Sequence, residues 1–156
     1  MKMTKRIISA LILALIALSL VACGGSGEKV LNGTVDELKT ALSAANAEGD
    51  LMPYDADRLA DDIVIKSTDY QEGFFLTPIN SAGVETIAFF VCADSTAASN
   101  VKLRLETYVT DTRNQQKDYN ADNYQVATVV QEGKYVYLVM SPNKDALLKV
   151  IGEKLK

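Results

Sequence analysis

Two clusters of carboxylates, one internal thiol and a set of tyrosines are the side chains of this chain that could do chemistry. Asp55, Asp57, Asp61 and Asp62 could offer oxygens to calcium, a hard cation that takes several of them. The same four acids suit the start of a helix, where the positive end of the backbone dipole favours them, and that reading is preferred. Asp118, Asn120 and Asp122 place oxygen donors at alternate positions, as the first half of a calcium loop does. Glycine is missing from the sixth place, and Val129 stands where a bidentate glutamate belongs. A helix end and turn is therefore expected there, with weak calcium binding the most it supports. Cys92 lies in an apolar run with no histidine to activate it, so a buried structural thiol is expected. Tyr108, Tyr119, Tyr124, Tyr135 and Tyr137 could line a groove for a peptide or glycan, since tyrosine is enriched at interfaces. Of these, Tyr119, Tyr124 and Tyr135 are the candidates for an exposed binding surface. Tyr135 and Tyr137 alternate onto one face of a strand. A bare face would bind; a face covered by a helix would be core.

The inventory excludes more than it offers. The chain has 156 residues, with no histidine, no tryptophan and two cysteines. That removes the Ser-His-Asp triad, the Cys-His pair, imidazole metal sites and the histidine pH switch. Two cysteines cannot build a zinc cage or a disulfide framework. No phosphate loop, dinucleotide fingerprint or Gly-x-Ser-x-Gly elbow occurs. No cofactor and no transition metal is expected, and no intrinsic hydrolase or redox activity. The 20 acidic against 16 basic residues argue against nucleic acid as a partner.

The other cysteine carries the strongest motif. Lys2, Lys5 and Arg6 head an apolar run from Ile7 to Ala22. Sixteen helical residues reach about 24 Å, short of the ~30 Å hydrocarbon core, which fits a signal core better than a permanent span. The run ends in Leu20-Val21-Ala22-Cys23, followed by Gly24-Gly25-Ser26-Gly27. This resembles a lipobox. Ala22 would be the last residue removed, and Cys23 would carry a diacylglyceryl group and become the mature N-terminus. One acyl chain holds marginally, whereas two hold stably. Processing removes three positives and leaves 13 basic against 20 acidic side chains, net about −7. The lipid, and not the protein's charge, would then hold the chain at the outer face of the cell membrane.

Three segments follow from this: a signal over 1–22, a lipidated cysteine and flexible tether over 23–33, and one domain over 34–156. Thr34 and Glu37 form a capping box ahead of Leu38, Leu42 and Ala45, in a helix ended by Gly49. A short helix is predicted over Asp55–Ile63, after Pro53. Phe74–Ile79 and Val84–Ala93 read as strands, the second rich in valine, isoleucine and phenylalanine on both faces and so central. A long helix begins at Asp94-Ser95 with the stripe Ala98, Val101, Leu105, Tyr108 and Thr112, and runs as far as Tyr119. Tyr124–Val130 and Tyr135–Met140 are strands joined by a hairpin turn at Gln131-Glu132-Gly133-Lys134. Ser141-Pro142-Asn143 opens a last helix with Leu147, Val150, Ile151 and Leu155 on its apolar face. The sum is an α+β domain. It has a mostly antiparallel sheet of about four strands with a long helix and a C-terminal helix packed on it, preceded by N-terminal helices. One core is expected from Phe89, Val91, Val101, Leu105, Val136, Leu138, Leu147 and Ile151.

Several of these features together resemble a known family. They are Glu85-Thr86-Ile87-Ala88-Phe89-Phe90, the long helix with Arg104, Arg113 and Gln116, Tyr119 and Tyr124 around the break, and Gly133-Lys134-Tyr135-Val136-Tyr137-Leu138-Val139. With the lipobox ahead of them, they are similar to an uncharacterised domain-of-unknown-function family of short lipoproteins from clostridial-type Gram-positive bacteria. The resemblance implies an exported, lipid-anchored α+β domain. It implies no activity and supplies no catalytic residue. The function expected is a binding or protein-interaction module with an unknown protein, peptide or glycan partner. The alternatives are an accessory lipoprotein of an envelope or transport complex and, third, a carboxylate-based hydrolase. Cys23→Ser is expected to abolish incorporation of labelled palmitate and to leave uncleaved or soluble protein. A mature N-terminus at an unmodified Cys23, read by intact mass, would overturn the lipidation.

Overall fold

The computed structural model describes residues 28–46, 50–79, 85–116 and 127–156. The signal segment, Cys23, Gly49, and the 118–123 acidic loop with Tyr119 and Tyr124 lie outside the described residues. The architecture is α+β, as the sequence predicts. In chain order the elements are α1 (Val35–Ala45), β1 (Leu51–Pro53), α2 (Ala56–Asp62), β2 (Glu72–Pro78) and β3 (Thr86–Val91). Then come α3 (Ser95–Gln116), β4 (Ala127–Glu132), β5 (Tyr135–Met140) and α4 (Lys144–Lys154).

The five strands form one antiparallel sheet in the order β1-β2-β3-β5-β4. The fifth strand, β1, was not expected. Pro53 reads as a breaker in the sequence, but a sheet edge tolerates proline because one side of the strand needs no donor. β1 is such an edge, pairing Leu51 with Pro78 and Pro53 with Leu76. β3 is central, as its two apolar faces require. Its register sets Phe89 between Phe74 and Tyr137, and Ala88 between Phe75 and Leu138. Gly73 stands opposite Phe90, and a methyl group there would come within 2.8 Å of the Phe89 carbonyl oxygen, so the two strands approach closely only because the side chain is absent. The β4–β5 hairpin is tighter than predicted: Glu132 pairs with Tyr135, leaving only Gly133 and Lys134 in the loop. Gly133 takes φ +61° there, which glycine adopts without strain.

Both faces of the sheet are covered, so there are two cores and not one. On one face Leu59 of α2 and Val101, Leu105 and Val109 of α3 pack on Phe75, Ala88, Phe90, Val136 and Leu138. On the other, Leu38 and Leu42 of α1 and Leu147 and Ile151 of α4 pack on Phe74, Ile87, Phe89, Tyr137 and Val139. Period-two alternation sends neighbouring residues of β3 to opposite layers. Phe89, Leu147 and Ile151 therefore never meet Val101, Leu105 and Leu138. Val91, also predicted as core, is half-buried at the end of its strand.

The helix ends follow local chemistry. Thr34 Oγ1 accepts the Glu37 N–H at 3.1 Å, and the Glu37 carboxylate accepts the Thr34 N–H at 3.0 Å. α1 stops at Ala45, four residues short of the predicted glycine, where the Asn143 side-chain amide donates to the Ala45 carbonyl at 2.7 Å. That bond joins the end of α1 to the start of α4. Asp94 begins α3 by accepting the Thr96 and Ala97 N–H groups, both at 2.8 Å. The segment expected to be free tether is partly structured. The Val30 and Asn32 N–H groups donate to the carbonyls of Lys156 and Lys154, and Leu31 pairs with Leu155. Residues 30–32, ahead of the expected boundary at Thr34, are thus paired with the folded unit. Leu105→Ala is expected to lower unfolding free energy by about 2–5 kcal/mol in urea titration, since the side chain is fully buried on the α3 side.

Candidate functional site

A groove runs beside α3 where the chain leaves α2. It is one cavity of about 320 Å³ lined by Tyr54, Asp62, Val64, Arg104, Tyr108 and Asp111, among others. A neighbouring cavity of about 370 Å³ shares Val64 and Arg104 and adds Lys66 and Asp69. Each volume lies at the low end for small-molecule sites. Aromatic rings set the inner wall. Tyr54 and Tyr108 both lean on buried Phe75, at ring distances of 5.6 and 5.2 Å. The Tyr108 hydroxyl shares a hydrogen bond with the buried Thr86 hydroxyl at 3.3 Å, which fixes the ring on the helix surface.

Polar contacts hold the opposite wall. The Tyr54 hydroxyl donates to Asp62 at 2.6 Å and accepts from the Arg58 guanidinium at 3.3 Å. Arg58 also pairs with Asp62 at 3.6 Å and lies over the Tyr54 ring at 4.7 Å. Burial, then the bond to Asp62 and its charge, push the Tyr54 phenol above its ordinary pKa. Asp55 caps α2 by accepting the Asp57 and Arg58 N–H groups. Of the four acids, Asp55 thus serves as a helix cap and Asp62 as half of an ion pair. Among the described residues no group of three or more acids or cysteines is placed to hold a metal ion.

Val64 separates the two cavities and is the one described non-glycine residue with positive φ, at +61°. A β-branched residue in this left-handed region is a true outlier and costs about 1–2 kcal/mol. It stands just past the end of α2, where glycine is the usual residue. Ile63 and Ile65 on either side are buried and both donate to the Leu59 carbonyl, which locks the turn. Val64 itself is 45 % exposed, so its side chain is not retained for the core. Strain of this kind collects at functional positions.

The residues singled out from sequence fare differently. Tyr135 is 5 % exposed and Tyr137 is buried beside it, Tyr137 stacked on Phe89 and Tyr135 tilted against it beneath the α1–α4 layer. Tyr135 is thus core and not a binding surface, because a helix layer covers that face of β5. Its hydroxyl accepts the Leu31 N–H at 3.3 Å. Burial, then the Glu132 charge and bond, push the Tyr137 phenol up to about 12. Cys92 is fully buried and unpaired; burial first, then Asp69 and Asp94, push its thiol up to about 11. Ser141-Pro142-Asn143-Lys144 spells a Ser-x-x-Lys motif. Its serine is fully buried and accepts the Asn143 N–H, so it cannot reach a substrate. Ser99-Asn100-Val101-Lys102 and Ser26-Gly27-Glu28-Lys29 spell the motif again; the Ser99 hydroxyl bonds to the Ser95 carbonyl and the Gln131 side chain, and Ser26 lies outside the described residues.

Of the groove residues, Tyr108 and Asp62 were sequence candidates, Asp62 as part of a possible calcium cluster, and Arg104 entered only through the family resemblance; Tyr54, Val64 and Asp111 were missed. A signal existed for Arg104 and Asp111, which have no opposite charge three or four residues away. None existed for Val64, because its φ is set by the buried residues around it.

The family described as "Domain of unknown function (DUF4358)" matches residues 43–141, from the end of α1 to the hinge before α4. The chain belongs to this family. The match takes in the whole sheet, α2, α3 and every groove residue named above. No curated protein and no solved structure matches the chain.

Two outcomes follow from the strained and buried groups. Val64→Gly is expected to leave stability unchanged or raise it by up to about 1 kcal/mol in urea titration, as relief of the strain outweighs glycine's extra unfolded-state freedom. Cys92 and Tyr137 are held neutral in the fold above the pH at which the unfolded chain ionises. Below pH ~9 neither makes stability pH-dependent. From pH 9 to 11 the unfolded thiol loses its proton first and stability falls, and from pH 10 to 12 Tyr137 adds to the fall. Cys92→Ala is expected to flatten the first part of that decline, measured as urea midpoint against pH.

Proposed function

We propose that this protein is a lipid-anchored extracytoplasmic binding module. In this reading a diacylglyceryl group on Cys23 holds the chain at the outer face of the cell membrane. The groove beside α3 recognises a ligand or partner. The lipobox, the basic head and the short apolar run support the anchor. So does the kinship with short lipoproteins of clostridial-type Gram-positive bacteria suggested by the sequence. Among the described residues no helix is long and apolar enough to cross a membrane. With Val30 tied to the C-terminus, about six residues would separate the lipid from the folded unit, a mean span of roughly 13 Å. The groove would then work close to the bilayer, and the net charge of about −7 argues against nucleic acid as its ligand.

The observation that carries the binding half is the placing of Val64. A residue held at a backbone cost, with its side chain exposed between two cavities, points to recognition at that spot. A carboxylate-based hydrolase is the second reading, because Asp62 and Asp111 line the same cavity. Against it, Asp62 is already engaged by Arg58 and Tyr54.

Titration of the ¹⁵N-labelled protein with a library of small polar fragments is the test of the groove. Binders are expected to shift the amides of Val64, Arg104 and Tyr108 together. Binders that consistently move another surface and leave these three unmoved would overturn the assignment.

A further inference from the structure

Among the described residues, two charged side chains of the groove, Arg104 and Asp111, form no ion pair. At three- and four-residue steps Arg104 meets Asn100, Val101, Thr107 and Tyr108, and Asp111 meets Thr107, Tyr108, Asn114 and Gln115. Neither set holds a counter-charge. At this spacing Lys102 pairs with Glu106 at 3.5 Å and Arg58 with Asp62 at 3.6 Å, the kind of contact these two lack. Among the described residues neither Arg104 nor Asp111 enters an ion pair. Both line the same cavity.

Their spacing measures a ligand. Seven residues make two turns, so the two side chains share a face of α3 and their backbones lie about 10.5 Å apart along its axis. An extended chain of three residues spans about 10–11 Å. The two helix positions carry opposite charges. Arg104 continues into the second cavity, where Lys66 adds a further positive charge and Asp69 is turned onto the Lys66 N–H at 2.7 Å. The Asp62 carboxylate lines the first cavity too, paired with Arg58. Tyr108 stands between Arg104 and Asp111 on α3, and the exposed Val64 lines both cavities, so each offers an apolar contact.

We propose that the groove binds a short peptide of about three residues with both termini free, its carboxylate on Arg104 and its ammonium at Asp111. This rests on the groove being the recognition surface. Guanidinium suits the carboxylate end, because it can hold both oxygens with two parallel hydrogen bonds. The peptide backbone lies along the helix, and one side chain meets Val64. Exposed ion pairs contribute little each and are screened by salt, so binding is weak and falls as ionic strength rises.

The experiment titrates the processed protein, purified in detergent, with trialanine, N-acetyl-trialanine and trialanine amide, following amide shifts. Trialanine is expected to shift Val64, Tyr108 and their neighbours saturably, with each capped peptide binding about two- to fivefold more weakly. Arg104→Gln is expected to remove the discrimination against the amide and keep that against the acetyl form. Asp111→Asn should do the reverse. Both side chains are exposed, so the variants should keep the wild-type melting temperature. Equal affinity for free and capped peptides overturns the proposal. No shift with trialanine, while other fragments still move the same amides, overturns the peptide and keeps the groove. No shift with trialanine or any fragment at these amides overturns both.

Discussion

The side chains of Ile87, Ala88, Phe89 and Phe90 leave nothing to solvent, and their backbone is bonded to a strand on each side. A strand apolar on both faces must be covered on both faces. That requirement places α1 and α4 on one side of the sheet and α2 and α3 on the other. It also explains the links that hold the first layer together. Asn143 bonds the end of α1, and the Val30–Asn32 segment pairs with the C-terminus. Two helices that share one sheet face keep their register through such contacts.

The groove follows from a mismatch of lengths. α3 has 22 residues and spans about 33 Å, while the six-residue strands it covers run about 20 Å. The helix therefore has more surface than the sheet can bury. Along part of that excess, the connection from α2 to β2 lies beside it. The connection is anchored by Leu59, Ile63 and Ile65, all buried against the α3 layer. With both isoleucines facing inward, Val64 between them must face outward and take the left-handed conformation. The strain at Val64 and the cavities beside it thus have one origin: a tight helix exit pinned by hydrophobic side chains.

The same frame separates the titratable groups by role. Cys92, Tyr135 and Tyr137 sit inside layers that exclude water. Desolvation holds the Cys92 thiol and the Tyr137 phenol in their neutral forms. Arg104 and Asp111 lie on the solvent side of α3, where a charge costs nothing to keep and an incoming ligand can reach it. Chemistry that needs an activated thiol or phenol has no support in the interior, whereas recognition by charge and shape has a place on the surface.

Much of this was legible in the residues. The α+β class, the central place of β3, the capping box at Thr34, the start of α3 at Asp94 and the strand Tyr135–Met140 all follow from local rules that act over a few residues. The split of the core into two was implicit in β3's alternation but needed the helices to be assigned to faces. β1 was missed because proline's meaning depends on whether a strand is an edge, which no local window reports. Tyr135 and Val64 show the limit most clearly. By type and spacing Tyr135 could equally be surface or core, and only the position of α1 and α4 made it core. Val64 reads as an ordinary apolar residue, and only the anchoring of its neighbours turned it outward. The sequence by itself determined what most short segments would become, because hydrogen bonding and side-chain periodicity are local. The tertiary structure alone decided which surfaces remain open, because burial depends on segments far apart in the chain.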